Sequence, residues 1–89
     1  MANYRLVFKP SAKKDLERLP STIQHRVGAK VESLVTNPYP VKCVKLSGYT
    51  DYWRIRIGDY RVVYQVNVSE CVIRIFAIQH RSTIYKVLH

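Results

Sequence analysis

The stretch Trp53-Arg54-Ile55-Arg56-Ile57-Gly58-Asp59-Tyr60-Arg61-Val62-Val63-Tyr64-Gln65-Val66 consists of two alternating runs that meet at a two-residue Gly-Asp turn, the pattern of a β-hairpin. With Gly58 and Asp59 as the loop, Ile57 faces Tyr60, Arg56 faces Arg61, Ile55 faces Val62 and Arg54 faces Val63. One surface then carries Arg54, Arg56, Arg61 and Val63, and the other carries Trp53, Ile55, Ile57, Tyr60, Val62, Tyr64 and Val66. Like charges directly opposite one another destabilise a sheet, so the pair Arg56 and Arg61 is a local fault that a bound anion would relieve.

Working outward, Tyr4 to Phe8 alternates as a short strand, and Pro10 and Ser11 open a helix whose apolar residues Ala12, Leu16 and Leu19 recur at spacings of four and three. Pro20 ends it. Ser21 followed by Gln24 is a capping-box pattern, and Ile23, Val27, Val31, Leu34 and Val35 form one stripe of a second helix. Asn37-Pro38-Tyr39-Pro40 cannot continue that helix, and Val44 to Leu46 is a possible short strand before Ser47-Gly48. Beyond the hairpin, Asn67 to Glu70 reads as a turn and Cys71 to Gln79 as a β-branched central strand. A turn centred between Val68 and Ser69 pairs Val62 with Ile75, Val63 with Arg74 and Tyr64 with Ile73. That parity adds Arg74 to the arginine surface, and Phe76, Ile78 and His80 with it. The order predicts an α+β fold: an antiparallel sheet with two N-terminal helices on one face, the other face open and cationic, and a short helical or extended tail over 81–89.

The 89 residues suit one domain over 1–89 with a modest core, burying roughly 60 to 65% of the unfolded chain's surface. Fifteen Lys and Arg against six Asp and Glu give a formal charge of +9 and a pI near 9.9, which points to nucleic acid, an anionic surface or an acidic protein partner. From Trp53 onward the only acids are Asp59 and Glu70, both at turns, so the basic excess lies where the strands are. Cys43 and Cys71 have no metal-ligand spacing and are expected to be reduced. The segment from Met1 to Arg5 does not read as a secretion signal, and no run approaches the ~20 apolar residues that span a bilayer, so the expectation is a cytoplasmic protein.

A charged sheet face is ordinarily just a solvated face, but solvated faces mix signs, and Arg54, Arg56, Arg61 and Arg74 share theirs with no carboxylate. Arginine's planar fork suits phosphate, and nearby aromatics suit base stacking. His80-Arg81-x-x-x-Tyr85 follows where the long strand leaves the sheet. By itself it is a strand-end pair with a tail aromatic on the core. Beside a bound phosphate, its imidazole, permanent cation and phenol offer proton transfer and charge stabilisation.

In this order of features the chain resembles the RelE/ParE toxins of prokaryotic type II toxin–antitoxin systems. The likeness rests on Phe8-Lys9-Pro10-Ser11-Ala12, the helix pair, Val44-Lys45-Leu46-Ser47-Gly48, Trp53-Arg54-Ile55-Arg56, Gly58-Asp59-Tyr60-Arg61-Val62-Val63-Tyr64, and His80-Arg81 ahead of Tyr85. It implies a small toxin neutralised by a wrapping, acidic, RelB-like antitoxin. RelE-type members cleave mRNA in the ribosomal A site through attack of the 2′-hydroxyl, without metal or other cofactor, whereas ParE-type members inhibit DNA gyrase. A non-catalytic RNA-binding domain is a further alternative. By position, the resemblance carries over Arg54, Arg56, Arg61, Arg81 and Tyr85; Arg61 and Arg81 are assigned to the charged phosphorane, Arg54 and Arg56 to substrate, joined by Arg74 through its place on the arginine surface, and Tyr85 with His80 to proton transfer or base stacking. Some relatives carry lysines where Arg54 and Arg56 stand, and an arginine does not act as a base as a lysine can. His25, His80 and His89 are scattered, and no carboxylate cluster suggests a metal site.

Overall fold

A computed structural model of the chain describes residues 3–88; Met1, Ala2 and His89, to which the signal and histidine arguments extend, lie outside the described residues. The hairpin forms as the alternation requires. Strands β3 (Tyr52–Ile57) and β4 (Tyr60–Asn67) pair Arg54 with Val63, Ile55 with Val62, Arg56 with Arg61 and Ile57 with Tyr60. Gly58 takes φ +58 while Asp59 stays at negative φ, the sense of turn whose twist matches the strands and which glycine at the first loop position permits.

The remaining elements are β1 (Arg5–Phe8), α1 (Pro10–Glu17), α2 (Ser21–Ser33), β2 (Val44–Lys45), β5 (Val72–His80) and a C-terminal 3₁₀ turn, Ile84–Lys86. The sheet order is β1-β5-β4-β3-β2. Every neighbour pair is antiparallel except β1, which runs parallel to β5 at the edge, so the expected antiparallel sheet has one parallel border. The helices cover one face. Ala12, Val27, Val31 and Leu34 pack there on Ile55, Val62, Tyr64, Val66, Ile73, Ile75 and Ile78. Pro10 opens α1 at a position whose N–H needs no partner. The capping box expected at Ser21 does not form: Pro20 is the N-cap of α2, no side chain caps it, and Gln24 N–H bonds the Pro20 carbonyl at 2.8 Å.

The turn between β4 and β5 departs from the sequence expectation and moves the register. Asn67 pairs with Val72, so the loop is 68–71, one residue later than expected, with Cys71 in the left-handed region at φ 54 rather than in the strand. The Asn67 side chain accepts from Glu70 N–H at 3.0 Å and from Ser69 Oγ at 2.9 Å, which fixes this later turn. Tyr64 therefore faces Ile75 and Gln65 faces Arg74. A bulge follows: Val63 faces Ala77, leaving Phe76 as the extra residue. Beyond it the parity inverts. Ile78 and His80 turn to the helix side, opposite Val62 and Tyr60, while Ala77 and Gln79 take the places expected of them on the outer face.

That outer face is not open along its length. Ile84 of the 3₁₀ turn is fully buried on Val63 and Ala77, with Leu46, Tyr52, Phe76 and Leu88 around them. Burying one such side chain contributes about 1.5 to 3 kcal/mol, enough to hold a tail too short to be stable as a helix. The tail is also tied to α1. Asp15 accepts the Ile78 N–H and the Gln79 Nε2–H, both at 3.1 Å, and Thr83 Oγ1 donates to Gln79 Oε1 at 2.9 Å.

Candidate functional site

Alternation along β3 projects Arg54 and Arg56 from the outer face, and the two-residue turn brings Arg61 opposite Arg56. Arg61 is half-buried, and its Nη1 reaches back to the carbonyls of Tyr60 at 3.1 Å and Gly58 at 3.3 Å, so the guanidinium is held at the hairpin tip. Burial first, then the charges of Arg56 and Arg54, push Arg61 below its ordinary pKa; Arg81 adds to this and Tyr85 opposes it. An arginine keeps its proton under that load, so the result is a permanently cationic, poorly compensated group.

The tail completes the site. Because Ile84 is anchored in the apolar half of the face, the next residue, Tyr85, turns toward the arginines, and Arg54 Nη1 donates to its phenol oxygen at 2.9 Å. Tyr85 is 57% exposed, and because its oxygen accepts from Arg54 its own O–H is left to donate to a ligand.

Arg54, Arg56, Arg61 and Tyr85 line one open cleft of about 770 Å³ with Lys30 of α2, Lys42, Val41, Val44, Ile55 and Gly58. None of these ten residues is a carboxylate or an imidazole. The wall formed by 41–44 is set by core contacts: the buried Tyr64 donates from its hydroxyl to the Pro38 carbonyl at 2.8 Å, and Tyr39 stacks edge-on against Trp53 at 4.8 Å. Burial raises the Tyr64 phenol above the usual tyrosine range, so it remains a neutral donor. Lys42 sits in that wall at φ 75, a conformation rarely taken by non-glycine residues.

The residues expected to act together are thus only partly assembled. Arg81, exposed, follows β5, and its N–H bonds the Asp59 carbonyl at 2.8 Å, which places it beside the hairpin tip. His80 does not line the cleft. It lies edge-on to Tyr60 at 5.5 Å, and its Nδ1 accepts from Ser82 N–H at 3.1 Å, closing the turn that starts the tail. Arg74 does not line the cleft either, because it faces Gln65 beyond the cluster around Ile84. Lys30 and Lys42 escaped the sequence reading. Lys30 had a legible signal, four residues after Arg26 on the side of α2 away from the Val27 and Val31 stripe, whereas Lys42 depends on loop geometry that no local pattern reveals.

Comparison with known proteins agrees with this architecture. A family model, the ParE toxin of type II toxin–antitoxin system, parDE, matches residues 6–85. Toxin RelE3 of Methanocaldococcus jannaschii is 32% identical over 85 residues, covering 91% of this chain and 94% of the relative. The mRNA interferase toxin RelE of Escherichia coli K12 is 29% identical over 86 residues, covering 92% and 90%. Among solved structures, the archaeal RelE–RelB complex from Pyrococcus horikoshii superposes with a TM-score of 0.79 at 33% identity, covering 89% of this chain and 96% of that one. With the matching family model spanning nearly its whole length, this chain belongs to the RelE/ParE family, the toxins of type II toxin–antitoxin systems.

Proposed function

We propose that this toxin is a ribosome-dependent endoribonuclease that cuts mRNA in the A site without a metal ion, held in check by an acidic, RelB-like antitoxin. The observation that carries this reading is the cleft itself: three arginines at the hairpin tip converge on one space with a phenol whose oxygen is already bonded by Arg54. Support comes also from the name of the Escherichia coli relative as an mRNA interferase and from the Pyrococcus horikoshii toxin's crystallisation with RelB.

In this mechanism the 2′-oxygen of one nucleotide loses its proton and attacks the adjacent phosphorus. The bond to the 5′-oxygen breaks, and that oxygen takes up a proton, leaving a 2′,3′-cyclic phosphate and a free 5′-hydroxyl. Negative charge builds on the phosphorane oxygens, where Arg61 and Arg81 act, the first held at the tip before substrate arrives. Arg54 and Arg56 hold the phosphate by their planar forks. Tyr85 is suited to protonate the leaving 5′-oxygen, since Arg54 donates to its oxygen and leaves its own O–H free. No group lining the cleft is an ordinary base, so the proton from the 2′-hydroxyl goes to solvent or to a group on the ribosome, and the ribosome aligns the attack. His80 contributes by fixing the turn that carries Arg81 and the tail.

The ParE description of the family model favours a second reading, inhibition of DNA gyrase. Mapping mRNA 5′ ends after induction separates the two. New 5′-hydroxyl ends at fixed positions within codons support the nuclease, and growth arrest with intact mRNA and altered DNA supercoiling supports the gyrase inhibitor.

A further inference from the structure

A strand lying in the cleft must leave it, and the two directions differ. Toward Arg74 it would cross the apolar cluster of Val63, Ala77 and Ile84, where Lys9 is already engaged over the Phe76 ring at 4.1 Å, and Arg74 itself faces Gln65, about 13 Å along β4 from Arg61. Toward the hairpin tip the cations continue. A second hollow of about 590 Å³ adjoins the first and shares Arg56, Gly58 and Lys30 with it, adding Arg26 and Ser33 of α2.

Arg26 and Lys30 are both exposed and four residues apart, so they stand on one side of α2 about 6 Å apart along its axis, a spacing at which like charges weaken a helix. The guanidinium of Arg26 lies against the tip from the helix side, its Nη1 and Nη2 at 3.8 and 3.9 Å from where a Cβ on Gly58 would stand. Arg61 reaches the carbonyl of the same Gly58 at 3.3 Å. The hairpin tip is therefore flanked by guanidinium groups from two elements, and neither hollow is lined by a carboxylate.

We infer that Arg26 and Lys30 form a second phosphate-binding subsite, and that the RNA strand cut in the cleft continues over the hairpin tip onto α2. The inference rests on the cleft being an RNA site. Continuity decides its occupant: an anion in the second hollow shares Arg56 with one in the first, and successive phosphates of a single strand meet that condition.

The test uses the intact toxin and non-cleavable 2′-O-methyl oligoribonucleotides, a trinucleotide that fills only the cleft and a longer single strand, with dissociation constants measured across a salt series. Wild-type toxin is expected to bind the longer strand more tightly and with the steeper salt dependence. Arg26→Gln is expected to reduce the slope of log affinity against log salt by about 0.7 for the longer strand and to leave the trinucleotide slope unchanged. Arg5→Gln removes the same charge from β1, at the far edge of the sheet and the opposite end of β5, and should change neither. If wild-type toxin binds the trinucleotide but Arg26→Gln and Arg5→Gln behave alike on the longer strand, the subsite is overturned and the cleft stands. If wild-type toxin binds neither RNA, the cleft reading falls and the subsite with it. Loss of binding to an acidic peptide but not to the longer strand would assign Arg26 to a protein partner and overturn the inference as well.

Discussion

At the hairpin end of the outer sheet face, Arg54, Arg56 and Arg61 crowd together around a cleft; one pleat further along the same strands, Val63 and Ala77 lie dry beneath Ile84. Both regions draw on β3, β4 and the C-terminal turn, yet the first gathers repelling charges and the second buries apolar area. The difference shows how a small toxin can hold an unfavourable site. Ile84 and Tyr85 are neighbours in sequence, one locked in the apolar half and the other delivered by it to Arg54. The apolar half is the rigid support that a preorganised cationic half requires.

Breaking the support should give the largest effect. Ile84→Ala opens a cavity under the tail and is expected to lower unfolding free energy by about 2 to 5 kcal/mol in urea titration. Cleavage should fall with it, since Tyr85 loses its anchor. A loss below about 1 kcal/mol would mean that the tail is not packed as described.

Tyr85→Phe sharpens the contrast from the other side, keeping the ring and removing only the hydroxyl that Arg54 engages. Cleavage on programmed ribosomes should fall about 100-fold or more, while the unfolding midpoint stays where it was, because Tyr85 is an exposed residue and the hydroxyl it loses bonds only at the surface. Unchanged cleavage would leave Tyr85 only a stacking role.

The smallest effect is expected at Arg74, which shares the face but lies beyond the apolar cluster. Arg74→Gln should change stability and apparent RNA affinity by within about 0.5 kcal/mol, roughly twofold. A tenfold loss of affinity would extend the RNA path across the covered half.

How much of this was legible follows from how each feature is encoded. The β3–β4 register was readable because a two-residue turn leaves one pairing, and with it came the grouping of Arg54, Arg56 and Arg61. The β4–β5 register was not. The loop, stabilised by Asn67, sits one residue later than expected and so shifted the pairing by two, which keeps parity and left Arg74 on the expected face; the bulge at Phe76 added one more, which inverts parity and carried Ile78 and His80 to the helix side. Bulges have no sequence signature as firm as a Gly-Asp turn. The burial of Ile84 was equally hidden, since a three-residue 3₁₀ turn is too short to show periodicity, and the sequence suggested an open arginine face where half is covered. His80-Arg81 read as a unit in the chain, but successive residues at a strand end point apart, and the structure leaves Arg81 by the tip and His80 on Tyr60.

The central claim is that the cationic half is built for chemistry at the expense of local stability, and Arg61→Ala tests it most directly when thermal unfolding and mRNA cleavage on programmed ribosomes are measured on the same preparation. Removing Arg61 relieves the repulsion across the pair with Arg56 and removes a transition-state contact of the kind worth about 3 to 4 kcal/mol. The expected result is an unfolding midpoint equal to or slightly above wild type with cleavage reduced about 100- to 1000-fold. A variant that unfolds readily would make Arg61 a structural residue, and a stable variant that cuts at the wild-type rate would place the nuclease site elsewhere.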